Sequence, residues 1–183
     1  MRPSLVALLV LALPAAGTAH AAPSAVEKRI AAAVDQRTDA ALELLAETVN
    51  VPSATENLAG VRAVGEIYAR EFRALGFETR WVDVPTEMQR AGHLVATHHG
   101  KNGGPRLLLI GHLDTVLQGE PFRRDGNRAY GSGSSDMKGG NLVALDALRA
   151  LHATGELRGM NVTVVFTGDE EDPGSPQVVT RES

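Results

Sequence analysis

The chain has 183 residues, 43% hydrophobic and 22% charged, which suits one globular α/β domain with at most a small extension. Its formal net charge of -4 gives no support to nucleic-acid binding, which usually shows as a basic patch. It contains no cysteine, so disulfides and thiolate metal sites are excluded, and any metal must be held by histidine and carboxylates.

Residues 1–21 have the pattern of a secretory signal peptide. Arg2 gives the positive start, Leu5 to Ala16 the apolar run, and Ala19-His20-Ala21 a small-x-small cleavage site. The run is roughly half the ~20 residues a membrane span needs. An uncleaved anchor is the competing reading. Cleavage would leave Ala22-Pro23 at the mature start of a secreted or periplasmic protein with no stable membrane span.

Ser24 to Asn50 reads as one long helix, capped by Ser24, with Val26, Ile30, Val34, Leu42, Leu45 and Val49 at helical spacing. Val51-Pro52-Ser53 stops it. A second helix is predicted from about Glu56 to Leu75, closed by Gly76. Phe77 to Val84 alternates loosely, as a strand with one wet face does, and His93 to His99 is a second strand. Lys101 to Pro105 turn into Arg106–Asp114. There the unbroken stretch Leu107–Gly111 predicts a strand buried on both faces and central to the fold. Phe122 to Tyr130 contains the hairpin signal Asp125-Gly126, and Gly131 to Asn141 is a loop rich in Gly and Ser. Leu142 to Ala153 is an amphipathic helix ending at Gly155, and Asn161 to Thr167 is another buried strand, closed by an acidic loop. The last segment, from Pro173 on, reads as a turn and the start of a further helix. This order predicts an α/β fold, with helices packed on a mixed, partly parallel sheet. Asn161-Val162-Thr163 fits the glycosylation pattern, but at the start of a buried strand it is read as chance.

Three polar clusters each follow a strand or hairpin: His112 with Asp114, then Asp136, then Asp169 to Asp172. His112 and Asp114 are two apart in an extended chain and so face the same way. Each cluster also has a plainer reading. A lone histidine at a strand end is more often a structural hydrogen-bonding residue. Asp136 alone would cap the following helix, and Glu170-Glu171 alone would be a solvated acidic loop. Together they suit a divalent metal centre, in which one carboxylate binds the ion while its neighbour takes a proton from water. The glycine loop does not fit either common phosphate-binding frame, because Asp136 stands where a glycine would be required.

GHLDTV, YGSGSSDMKGG and VVFTGDEE, in this order and spacing, resemble the co-catalytic zinc metallopeptidases. That family includes glutamate carboxypeptidase, acetylornithine deacetylase, succinyl-diaminopimelate desuccinylase and the aminoacylases. The resemblance runs from about Ser24 to the end and implies a zinc-exopeptidase-like catalytic domain. It implies that His112 binds one zinc, that Asp114 orients His112, and that Asp136 bridges two zinc ions, with a cis peptide at Asp136-Met137. Glu170 would be the general base and Glu171 a ligand of the second zinc. Mn2+ or Co2+ accept the same donors. The implied substrate is a small peptide or N-acyl amino acid, and the implied reaction is hydrolysis of its amide bond.

The family pattern continues well beyond Glu171. It supplies a further acidic ligand, a late histidine, a lid or dimerisation domain through which the full-length protein could form a homodimer, and much of the substrate pocket. The expectation is therefore an amino-terminal part of the catalytic domain over 22–183, with weak metal binding, slow or absent hydrolysis and an exposed apolar sheet edge. The alternatives are a non-catalytic remnant and a periplasmic binding module that keeps the cleft without turnover.

Overall fold

The computed structural model describes residues 22–101, 103–116 and 119–175. The signal-peptide reading of 1–21 and most of the last predicted segment lie outside these residues. In chain order the elements are α1 (Ala25–Asp35), α2 (Thr38–Val49), α3 (Leu58–Ala74), β1 (Glu78–Val82), β2 (His93–His98), β3 (Arg106–His112), β4 (Arg123–Asp125), β5 (Arg128–Tyr130), α4 (Lys138–Thr154) and β6 (Asn161–Thr167).

The single helix expected over Ser24–Asn50 is in fact two. Ser24 does cap the first: its Oγ accepts from Glu27 N, and Glu27 Oε2 accepts from Ser24 N at 2.6 Å. The break falls at Gln36-Arg37, where the polar run Asp35-Gln36-Arg37 interrupts the apolar stripe. Arg37 N turns back to Val34 O, Thr38 Oγ1 donates to Asp35 O, and Arg37 Nε pairs with Asp146. Both pieces then lie against α4. By contrast α3 begins and ends close to expectation, with Asn57 Oδ1 accepting from Gly60 N and Gly76 just past its end.

β1, β2, β6 and β3 form a mixed sheet in that order, antiparallel except for the parallel β3–β6 pair. This is the α/β architecture expected, with β4 and β5 as a separate hairpin. α3 packs on β1 and β2, and α4 on β3. Between helices and sheet lie Val61, Val64, Tyr68 and Phe72 of α3, Leu145 and Leu148 of α4, and Val162, Val164 and Phe166 of β6, all nearly inaccessible. The Tyr68 and Phe166 rings meet edge to face at 5.2 Å.

β3 is not buried on both faces. It is the edge strand of the described sheet, and the helices cover only the face that carries Leu109 and Gly111. On the other face Leu108 is 57% and Ile110 68% exposed, so an apolar run marks a fully buried strand only when both faces find a cover. The exposed apolar edge anticipated from the sequence is thus present in the described residues.

α4 starts at Lys138, four residues before the predicted Leu142. Its first turn contains Gly139 and Gly140, each of which costs about 1 kcal/mol of helix propensity. Tertiary bonds offset that cost: Tyr68 Oη donates to Lys138 O at 2.8 Å, and the buried Lys138 Nζ donates to Val51 O at 2.9 Å. Burial pulls the Lys138 pKa down to about 8. Among the described residues no helix is long and apolar enough to cross a membrane.

Candidate metal centre

β3 and β6 run parallel, with His112 opposite Thr167, so the loops that follow them leave the sheet side by side. This is where open α/β sheets place their sites. Leu113 N donates to Thr167 O at 2.7 Å and joins the two loops at their root.

Asp114 is fully buried beneath the loops. Its Oδ2 accepts from Thr55 Oγ1 at 2.8 Å and Glu171 N at 3.1 Å, while Oδ1 accepts from Glu170 N at 3.3 Å and lies 3.4 Å from His112 Nδ1. Burial alone would raise its pKa. The bonds from His112, the Glu171 amide, Thr55 and the Glu170 amide outweigh that and lower it. The carboxylate therefore stays charged although buried, because three donors and the His112 ring face its two oxygens.

His112 is held from both ring nitrogens. Nδ1 bonds Asp114, through its carbonyl at 3.1 Å as well as its carboxylate, and Nε2 lies 3.1 Å from Asp136 Oδ1. Burial works against the charged ring, but Asp114 and Asp136 overcome it and hold the pKa up at about 9. Behind the ring, Asn141 Nδ2 donates to His112 O at 2.6 Å. Among the described residues the Asn141 Oδ1 has no donor, and it sits over Gly111, where a Cβ would come within 2.1 Å of it, so Gly111 is required by close approach.

Asp136 does not cap α4. Met137 occupies the cap position without a side-chain bond, and the Asp136 side chain turns to His112 across the preceding peptide loop. The Asp136-Met137 peptide is cis, as the resemblance implied. One ligand atom each from His112, Asp136 and Glu171 lies within 4.8 Å of the other two. Glu170 joins the rim, with Oε2 3.8 Å from His112 Nε2. Burial first, and then Asp136, pushes the Glu171 carboxyl pKa up. Carboxylates thus crowd around a single imidazole, with His112 as the one cationic partner within 4 Å of Asp136 and Glu170 among the described residues. That donor set fits a divalent cation of the borderline kind that histidine and carboxylates bind.

All five residues singled out from the sequence, His112, Asp114, Asp136, Glu170 and Glu171, therefore converge on one place. The outer acids of the run do not join them: Asp169 faces His93 at 3.8 Å, and Asp172 pairs with Arg90. A cleft of about 280 Å³ opens beside the cluster, between Thr115, Gly133, Ser134, Ser135, Asp136 and Glu171. A larger cleft of about 450 Å³ lies at the other ends of the strands, near His98, Arg106 and Asn161, away from every candidate ligand. Asn161 itself is engaged there, with Oδ1 accepting from Gly100 N.

Sequence reasoning missed the floor of this site. Val51-Pro52-Ser53 reads only as a helix stop, yet Ser53 Oγ donates to Leu113 O, Thr115 N donates to Ser53 O, and Ala54 forms a parallel bridge with Thr115. This stitches the segment after α2 to the loop after β3 and brings Thr55 onto Asp114. The contacts span about sixty positions in sequence, so no local spacing could have announced them.

Residues 108–182 match the profile of Peptidase family M20/M25/M40. The chain is 35% identical over 185 residues to carboxypeptidase G2 of Pseudomonas sp. (strain RS-16), a match that takes in 93% of this chain and 42% of that protein. It is 36% identical over 145 residues to succinyl-diaminopimelate desuccinylase of Gluconacetobacter diazotrophicus, with 74% of this chain and 36% of that protein matched. Over these matches the chain is similar to the M20/M25/M40 peptidase family, and it spans less than half the length of these curated relatives. Its fold is similar to that of the dipeptidase Dug1p from Saccharomyces cerevisiae, with a TM-score of 0.71 at 15% identity over 81% of this chain and 35% of that one.

Proposed function

We propose that the chain carries the zinc-holding part of a hydrolase that cleaves amide bonds in small peptides or N-acyl amino acids. The observation that carries this reading is the meeting of His112, Asp136 and Glu171 within 4.8 Å, above a buried and fully bonded Asp114. The match of residues 108–182 to the peptidase family profile agrees with it. His112 and Asp136 would hold one ion and Asp136 and Glu171 a second, with Mn2+ or Co2+ able to take the place of Zn2+. Zinc held by these donors supplies Lewis acidity toward the scissile carbonyl and makes water acidic enough to lose a proton near neutral pH.

The chain's own residues do the rest. Asp114 fixes the His112 ring through Nδ1 and leaves Nε2 directed at the metal side. Glu170, exposed on the rim 3.8 Å from His112, takes the proton of the attacking water on Oε2 and returns it to the leaving nitrogen. The cleft lined by Thr115, Ser134 and Ser135 lies beside these groups and receives the substrate. Export to the periplasm or outside rests on the leader pattern of residues 1–21, and homodimer formation by the full-length protein on the family resemblance alone.

The test is zinc content together with hydrolysis of N-acyl amino acids and dipeptides by the full-length protein, in the wild type and in Glu170→Ala. The variant is expected to keep its metal and lose turnover by roughly 10²–10⁴-fold. Near wild-type turnover with zinc bound would remove Glu170 from its role. A wild type that takes up no divalent ion would overturn the metal reading, and ligand affinity without turnover would favour the binding module.

A further inference from the structure

In the run Asp169-Glu170-Glu171-Asp172 the inner two carboxylates face the metal cluster and the outer two do not. Asp172 is gripped by Arg90, which lies between β1 and β2. Arg90 Nε donates to Asp172 O and Nη2 donates to Asp172 Oδ2, both at 2.6 Å, while Nη1 donates to Gln89 O at 2.9 Å. The Arg90 side chain is only 12% exposed, so its guanidinium is wedged between two loops. The two loops pack closely on either side of it. Gln89 takes a left-handed φ of 52°, and Gly174 sits so near Met88 that a Cβ there would come within 2.8 Å of Met88 Cε.

The peptide that carries Glu170 and Glu171 thus has two anchors. From beneath, Asp114 accepts both of their amides; from outside, Arg90 holds the backbone and side chain of the next residue. The glutamate side chains stand among other carboxylates and would spread apart if the peptide were free to move. We propose that Arg90 is a positioning residue of the metal centre: through Asp172 it fixes the 170–172 peptide so that Glu171 stays in ligand range of His112 and Asp136. This rests on the metal reading above. The grip needs a planar fork with donors for two different oxygens, which the point charge of a lysine does not offer.

The experiment is calorimetric titration of the full chain with Zn2+, in the wild type, Arg90→Ala, Asp172→Ala and the double variant, joined to amide hydrogen exchange on the metal-free proteins. Arg90→Ala is expected to weaken Zn2+ binding about tenfold. Asp172→Ala should lose less, because its backbone carbonyl still accepts from Nε. The double variant should be no worse than Arg90→Ala alone, since both changes break one link. The Glu170 and Glu171 amides should exchange faster in Arg90→Ala while the Leu113 amide, bonded to Thr167 O, does not change. Unchanged Zn2+ affinity in Arg90→Ala, or losses that multiply in the double variant, would overturn the proposal. If the wild type takes up no zinc, the metal reading fails separately, and unchanged exchange at Glu170 and Glu171 would then sink the clamp as well.

Discussion

Asp114 and Asp136 both reach His112, one at each ring nitrogen, and their surroundings are opposites. Asp114 is inaccessible and accepts from Thr55, Glu170 and Glu171 besides facing the imidazole. The Asp136 side chain is 77% exposed and has His112 as its ion-pair partner. A carboxylate whose lone pairs are all spoken for can orient a neighbour but has nothing left for a metal. One with open lone pairs on the rim can bind an ion and adds little to the fold. In the proposed reading holding falls to the first and binding to the second, the two roles that the resemblance of the sequence implied.

Asp114→Ala should give the largest effect, because it strands several buried donors and the charged ring of His112. The expected loss of stability is about 3–5 kcal/mol, read from urea unfolding. A loss below about 1 kcal/mol would mean that Asp114 is not the keystone described here. Asp136→Ala should behave in the reverse way: unfolding free energy within about 1 kcal/mol of wild type, but divalent-ion affinity lower by roughly two orders of magnitude in calorimetry. If both variants lose stability equally, the division of labour is wrong.

The pH dependence of the metal-free protein sharpens the same contrast. His112 is raised from about 6.5 unfolded to about 9 folded. Its contribution is therefore fully present below pH 6.5 and is lost as pH rises through 9. Asp114 is lowered, so its contribution is present above about pH 4 and is lost as pH falls through the folded value. Urea midpoints should be highest between these limits and fall toward pH 9, and His112→Gln should flatten the alkaline fall. Zinc affinity should rise over the same alkaline range, because the ring must give up its Nε2 proton to bind. The smallest effect belongs to Thr55→Val, which removes one of the donors to Asp114. It should cost about 1 kcal/mol and leave zinc binding within a few-fold of wild type.

Much of this was legible in the sequence, and the limits have physical causes. The strands end where alternation and turn residues place them, and His112, Asp136 and Glu171 stand in three short motifs whose order carries the site. The helix break at Gln36-Arg37 was not legible, because the apolar stripe resumes in phase with what precedes it and the deciding bond, Arg37 to Asp146, is tertiary. Leu108 and Ile110 look like core because an apolar run records what a strand is suited to, not which neighbours cover it. The early start of α4 depends on Tyr68 and Val51, which are distant in sequence and override two glycines. Ser53, Thr55 and Arg90 carry no local signature, since their partners lie across the fold.

The stitched segment after α2 has a consequence for how the chain can change in length. Ser53, Ala54 and Thr55 are locked residue by residue to Leu113, Thr115 and Asp114, so a single insertion or deletion there would shift Thr55 off its acceptor and tilt the histidine above it. Among the described residues the β4–β5 hairpin forms its own two-stranded sheet, and it ends in an exposed turn at Gly126, where added residues would meet solvent. Natural variation in length and engineered insertions should therefore collect in the hairpin and avoid the five residues from Val51 to Thr55, whatever their side chains.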